Sequence, residues 1–93
     1  MIGFRAVVSV VAFLISPAAF AAPAGLNADC LRQYDLYVSK PAPKAFAVSS
    51  NGYCGWAWRS VSSPAEFEKA KNMALGYCMQ YAGTKCQVVE TVK

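Results

Sequence analysis

The chain has 93 residues, 56% of them hydrophobic and 15% charged, with a formal net charge of +4, four cysteines and no histidine. That length excludes two independent domains, and so apolar and aromatic a composition excludes a disordered chain. Lack of histidine removes the usual general base and the commonest zinc ligand together.

Residues 1–21 read as an export signal. Met1–Arg5 is a short basic start, Ala6 to Ile15 is apolar, Pro17 breaks the run, and Ala19-Phe20-Ala21 sets small residues at −3 and −1 of a cut after Ala21. The apolar stretch is shorter than the roughly 20 residues a membrane-spanning helix needs. Asn27-Ala28-Asp29 ahead of Cys30 is no lipobox. Cleavage leaves residues 22–93, half of them hydrophobic, with all four cysteines, a net charge near +3 and no transmembrane segment.

Residues 22–26 read as a flexible leader. A helix follows over 27–38, capped by Asn27 or Asp29, with Cys30, Leu31, Tyr34, Tyr37 and Val38 on one face. Pro41 and Pro43 stop it, and Lys40-Pro41-Ala42-Pro43-Lys44 reads as an extended linker closing an N-terminal region of residues 22–43. Residues 44–93 then form the second region. Ala45 to Ser49 is a strand, Ser50-Asn51-Gly52 a turn in which Asn-Gly favours positive φ, and Tyr53 to Arg59 a second strand paired back on the first. Ser63-Pro64-Ala65-Glu66 starts the main helix: Ser63 caps, Pro64 takes the first helical position, and Glu66 reaches back to the cap's own N–H. The helix runs from 64 to about 81 with Phe67, Ala70, Met73/Ala74, Tyr77/Cys78 and Tyr81 as its apolar stripe, and Gly83 ends it. Cys86 to Val92 is the last strand.

An even number of cysteines in an exported chain points to disulfides, and Cys30, Cys54, Cys78 and Cys86 allow three pairings. Their spacings of 24, 24 and 8 contain no C-x-x-C knuckle, so a metal site is not expected.

From Lys44 onward the order of motifs resembles the DUF4189-type domain, a small secreted bacterial domain of unknown function. The resemblance rests on Ala45-Phe46-Ala47-Val48-Ser49, Gly52, Gly55-Trp56-Ala57, a Ser-initiated helix, Ala74-Leu75-x-x-Cys78 and Gly83-x-x-Cys86-x-Val88-Val89. It implies a compact β-β-α-β domain, an extracytoplasmic setting and a Cys78–Cys86 bond, and brings no catalytic residues. The chain departs from that pattern in its N-terminal helix with Cys30 and in Cys54. These two departures suggest each other. Cys54, Trp56 and Trp58 share one face of the second strand, and Tyr53, Gly55, Ala57 and Arg59 the other. Gly55 and Ala57 leave room for the main helix with its Ala70 and Ala74. The Trp face then needs a cover, which the N-terminal helix supplies with Cys30 tied to Cys54. The expected fold is α+β: a three-stranded antiparallel sheet in order 2-1-3, one main helix, an extra N-terminal helix on the other face, and two disulfides.

Chemistry is sparse. Glu66 has a capping role, Asp29 and Asp35 read as solvated, and the chain holds no nucleophile elbow and no phosphate loop. No catalytic residue, cofactor or enzymatic activity is expected. Trp56, Trp58 and Arg59 form the candidate binding surface, since exposed aromatics stack on sugars or bases; against that, both Trp side chains suit the core beneath the N-terminal helix, with Tyr34 and Tyr37 as packing partners. The lysines and arginines are spread along the chain, which favours an anionic envelope component or a protein as partner over specific nucleic acid. The expectation is a monomeric, exported, non-catalytic binding protein of the periplasm or medium. A secreted effector acting on a host is the alternative.

Overall fold

The computed structural model describes residues 21–93, so the export signal expected at 1–21 lies outside the described residues apart from Ala21. The elements are α1 (Ala28–Val38), β1 (Lys44–Ser49), β2 (Cys54–Trp58), α2 (Pro64–Ala82) and β3 (Cys86–Val92). The strands form one antiparallel sheet in the order β2-β1-β3. This is the α+β architecture and strand order expected from the sequence, with α1 over one face and α2 over the other.

Close approach sets the α2 face. Ala45, Ala47 and Ala57 of the hairpin meet Ala70, Ala74 and Cys78 of α2, and all six are buried. Gly55 is the tightest point: a Cβ built there would lie 2.5 Å from Ala74 O and 2.8 Å from Cys78 Cα. Only glycine lets the helix backbone sit this near the strand. The helix begins at Ser63, whose Oγ accepts from Glu66 N–H at 3.2 Å, and ends at Gly83 in the left-handed region with φ +66°.

The α1 face is built from rings. Tyr34, Tyr37 and Phe46 are buried together, with Tyr34 edge-on to Phe46 at 5.2 Å and Tyr37 edge-on to Trp56 at 6.3 Å. Asn27 caps α1 by accepting from Cys30 N–H at 2.8 Å. Cys30–Cys54 ties this helix to β2, and Cys78–Cys86 ties α2 to β3, so each helix carries one bond to the sheet and no cysteine among the described residues is free.

Several local expectations change. Residues 22–26 are no loose leader: Ala22 and Leu26 pack on the aromatic cluster, and Asn27 N–H donates to Gly52 O at 3.0 Å. Leu31 is half exposed, because Cys30, Tyr34 and Tyr37 alone make the buried stripe of α1. In the hairpin turn only Gly52 takes a positive φ, and Asn51 instead donates its side-chain N–H to Ala82 O at 3.3 Å. The second strand starts at Cys54 and ends at Trp58, one residue inside the expected span at each end.

Lys44 departs furthest from expectation. Rather than ending a solvated linker, it opens β1, is buried, and donates from Nζ to Tyr37 O, Val38 O and Lys40 O at 3.0, 3.1 and 2.8 Å. An ammonium has three N–H donors, and here all three satisfy carbonyls at and just beyond the end of α1, where the helix macrodipole also favours a cation. The same Nζ lies 4.6 Å from the Tyr37 ring centroid. Burial pushes its pKa below the ordinary lysine value, while the negative charge of Glu90 pulls it the other way.

Glu90 reaches this face through a register shift. Phe46 pairs with Glu90 but Ala47 pairs with Val88, so Val89 is the extra residue of a β-bulge. Strict alternation from Cys86 would place Glu90 beside Val88 under α2. The bulge turns it to the α1 face, where it accepts from Tyr34 Oη at 2.8 Å.

Candidate functional site

A cleft of about 530 Å³ opens along the outer edge of β2, between the N-terminal turns of α1 and the C-terminal half of α2. Its position follows from the two packing modes. Small residues let α2 lie close on β2, and the larger side chains at the margin of its stripe, Tyr77 and Tyr81, are left projecting past the strand. On the other side Cys30–Cys54 holds α1 against β2, which sets Asn27, Asp29 and Gln33 on the opposite wall. Tyr53, Gly55 and Trp56 complete the lining.

The polar groups of the cleft are partly committed. Gln33 Oε1 accepts from Trp56 Nε1 at 2.9 Å, fixing the indole. Asp29 pairs with Arg32 at 3.1 Å on the surface. Tyr53, Tyr77 and Tyr81 are 42%, 43% and 67% exposed, an aromatic rim open to solvent. Such rings offer an apolar face with a hydroxyl tip, suited to a ligand that is partly apolar and partly hydrogen-bonding.

The three residues singled out as a binding surface do not lie together. Trp56 is half-buried and belongs to the cleft. Trp58 sits further along the same face of β2, at the margin of exposure, with Lys40 Nζ 5.6 Å from its ring. Arg59 turns to the α2 side: its Nε donates to Glu66 Oε1 at 2.7 Å and its Nη1 lies 3.4 Å from Met73 Sδ. This contact also explains why the reciprocal half of the capping box at Ser63 is not formed. A guanidinium is a stronger donor to a carboxylate than a neutral backbone N–H, and it captures Glu66. The Arg59 hydrogen bond holds the Glu66 carboxyl below the usual carboxylate range.

No family model, curated protein or solved structure matches the chain.

Tyr77 and Tyr81 are the cleft residues that sequence reasoning assigned to the core instead. A signal for them exists. Ala70, Ala74 and Cys78 recur at intervals of four and mark the line of closest approach, so large residues one position before Cys78 and three after it must flank that line. Among the described residues no group of three His, Cys, Asp or Glu is placed to hold a metal ion, and no helix is long and apolar enough to cross a membrane.

Tyr34, Tyr37, Lys44 and Glu90 make a second polar cluster, enclosed rather than open. Burial, then the hydrogen bond to Glu90, pushes the Tyr34 pKa up to about 12. Burial raises Tyr37 as well, followed by the charge of Glu90. The Tyr37 hydroxyl is buried without a hydrogen-bond partner. This cluster lies under α1 and lines no cleft, so its role is in holding the helix.

Proposed function

We propose that this chain is a small exported, non-catalytic binding protein of the bacterial envelope, stabilised by its two disulfides. The observation that carries the reading is the pairing of all four cysteines, one bond to each helix, with Cys30–Cys54 lining an open aromatic cleft. Disulfides of this kind persist in oxidising compartments. They fit the export signal read at 1–21 and the extracytoplasmic setting that the DUF4189-type resemblance implies. A domain this small needs such cross-links because its core alone gives little net stability. Four of the five carboxylates are held by partners, Glu66 by Arg59, Glu90 by Tyr34, Glu68 by Lys71 and Asp29 by Arg32, and the fifth, Asp35, is exposed on α1, an arrangement that supports binding over catalysis. The partner is an envelope protein or an anionic envelope component, met by a monomer of net charge near +3.

Cell fractionation tests this. The tagged protein should appear in the periplasm, processed to begin at Ala22, and should migrate faster on a non-reducing gel than after reduction. Recovery in the medium or in host cells would replace the envelope role with that of an effector. Retention in the cytoplasm with reduced thiols would overturn both.

A further inference from the structure

The edge of β2 presents unpaired backbone to the cleft. Ser49 N–H donates to Tyr53 O and Arg59 N–H to Pro43 O, each at 2.9 Å, so the odd-numbered residues of this strand turn their main chain toward β1. By the alternation of an antiparallel ladder, the N–H and C=O groups of Cys54, Trp56 and Trp58 point the other way, outward along the edge. No described residue forms a backbone hydrogen bond to them. Cys54 lines the cleft and is only 5% exposed. An unpaired strand edge is a template for a further strand, and the edge groups of Cys54 and Trp56 lie within the cleft, with those of Trp58 continuing the edge beyond it.

The two edges of the sheet differ in how they are guarded. β3 carries a bulge at Val89, a charged Glu90 and Lys93 just past its end, features that discourage a further strand. β2 is Cys54-Gly55-Trp56-Ala57-Trp58, with no charge, no proline and no break in five consecutive pairs.

We propose that the β2 edge takes an extended peptide segment of a partner protein as a fourth strand, with side chains on alternate faces seated against Trp56 on one wall and Tyr77 and Tyr81 on the other. The proposal deepens the binding role argued above and rests on it. Backbone pairing would supply affinity and the aromatic walls selectivity, as in strand addition generally. Charge narrows the occupant. The cleft lining holds no cation, and its one carboxylate, Asp29, is already paired with Arg32, so an uncharged apolar peptide fits and a polyanion finds no charge to hold it.

The test uses the processed, oxidised protein. Random linear peptides displayed on phage are selected on it, and the strongest binder is synthesised and titrated into the 15N-labelled protein. The amides of Cys54, Trp56 and Trp58 should shift and gain protection from solvent exchange, while those of Gly55 and Ala57, already facing β1, change least. N-methylation at alternate peptide positions should weaken binding by about ten-fold. Tyr77→Ala and Tyr81→Ala should each weaken it several-fold with the melting temperature retained. Absence of any selected binder, binding that maps away from β2, or indifference to N-methylation would overturn the proposal. So would displacement of the peptide by chitohexaose with ring shifts alone, which would assign the cleft to a glycan, or dimerisation through β2 in sedimentation. A periplasmic, oxidised protein that fails this titration loses the peptide site and keeps its binding role. A cytoplasmic, reduced protein loses that role whatever the titration shows.

Discussion

Under α2 the sheet meets its helix through alanines and a glycine; under α1 it meets its helix through tyrosines, a phenylalanine and a tryptophan. The first contact is close and dry, and its specificity is steric: nothing larger than Gly55 fits beneath Ala74 and Cys78. The second stands off by the thickness of a ring and carries polar atoms inside it, namely Lys44, Glu90 and the two tyrosine hydroxyls. The difference shows how so short a chain covers both faces of a sheet. One helix is held by small residues, a close backbone approach at Gly55 and a disulfide to β3, while the other, shorter one is held by a disulfide to β2, a buried cation at its end and a few rings.

The two disulfides should therefore fail differently. The Cys30–Cys54 bond closes a loop of about 25 residues and Cys78–Cys86 one of about 9, contributing roughly 3.5 and 2.5 kcal/mol in the chain-entropy model. Together these rival the whole stability of a domain this size, so reduction of both should unfold the protein near body temperature. Paired Cys→Ala replacement at Cys30 and Cys54 should release α1, with loss of the near-ultraviolet signal of Tyr34, Tyr37 and Trp56, while amides of α2 remain protected. Replacement at Cys78 and Cys86 should lower the global transition without that selective loss. Near-ultraviolet circular dichroism and hydrogen exchange read the two apart, and identical losses from both variants would erase the distinction.

Gly55→Ala probes the close face. One added carbon must displace helix backbone rather than a flexible side chain, and about 3 kcal/mol should be lost. Phe46→Ala, on the ring face, removes a whole side chain for a similar loss of about 3 kcal/mol. Urea denaturation of the two variants compares them directly. A loss under about 1 kcal/mol for Gly55→Ala would mean that α2 can lift off the strand.

The two faces were unequally legible in the sequence. On the α2 side the signals are local: Ser63-Pro64 and Gly83 bound the helix, and Gly55 and Ala57 opposite Ala70 and Ala74 announce a close contact. The pairing of Cys30 with Cys54 followed from asking what covers the Trp face. On the α1 side the decisive features depend on the assembled fold. Lys44 looks like any linker lysine until the chain between α1 and β1 folds it under the end of the helix. Glu90 changes face only because Val89 bulges, and a bulge leaves no mark in a strand pattern. The cleft was hidden for the same reason, since Tyr77 and Tyr81 read as core until the alanines beside them draw the helix too close to admit them.

Lys44→Met tests the cation at the end of α1. The substitution keeps much of the apolar stem and strips three carbonyls of their donor, so a loss of about 2 kcal/mol is expected. Hydrogen exchange should speed up in the last turn of α1 and leave α2 unchanged. Equal acceleration in both helices would show that the ring face is not a separate unit.

The smallest expected effect is a gain. Tyr37 buries a hydroxyl that no hydrogen bond satisfies, near a Glu90 carboxylate that accepts from Tyr34. Tyr37→Phe removes that unsatisfied group and keeps the ring contacts with Tyr34, Phe46 and Trp56, so stability should rise by about 1 kcal/mol at neutral pH. The same burial sets an alkaline limit. Both tyrosines have folded-state pKa values raised above the ordinary value of 10.0, so the neutral phenol stabilises the fold fully below that pH. The contribution fades as pH climbs from 10 toward about 12, where Tyr34 ionises in the folded protein. Lys44 has the opposite sign, since its lowered pKa means that the penalty for a buried ammonium fades as pH rises. A Tyr34→Phe, Tyr37→Phe double variant should therefore lose less stability between pH 10 and 12 than the parent. Parallel pH profiles would show that these hydroxyls ionise as freely in the folded chain as in the unfolded one, and that the ring face is wet.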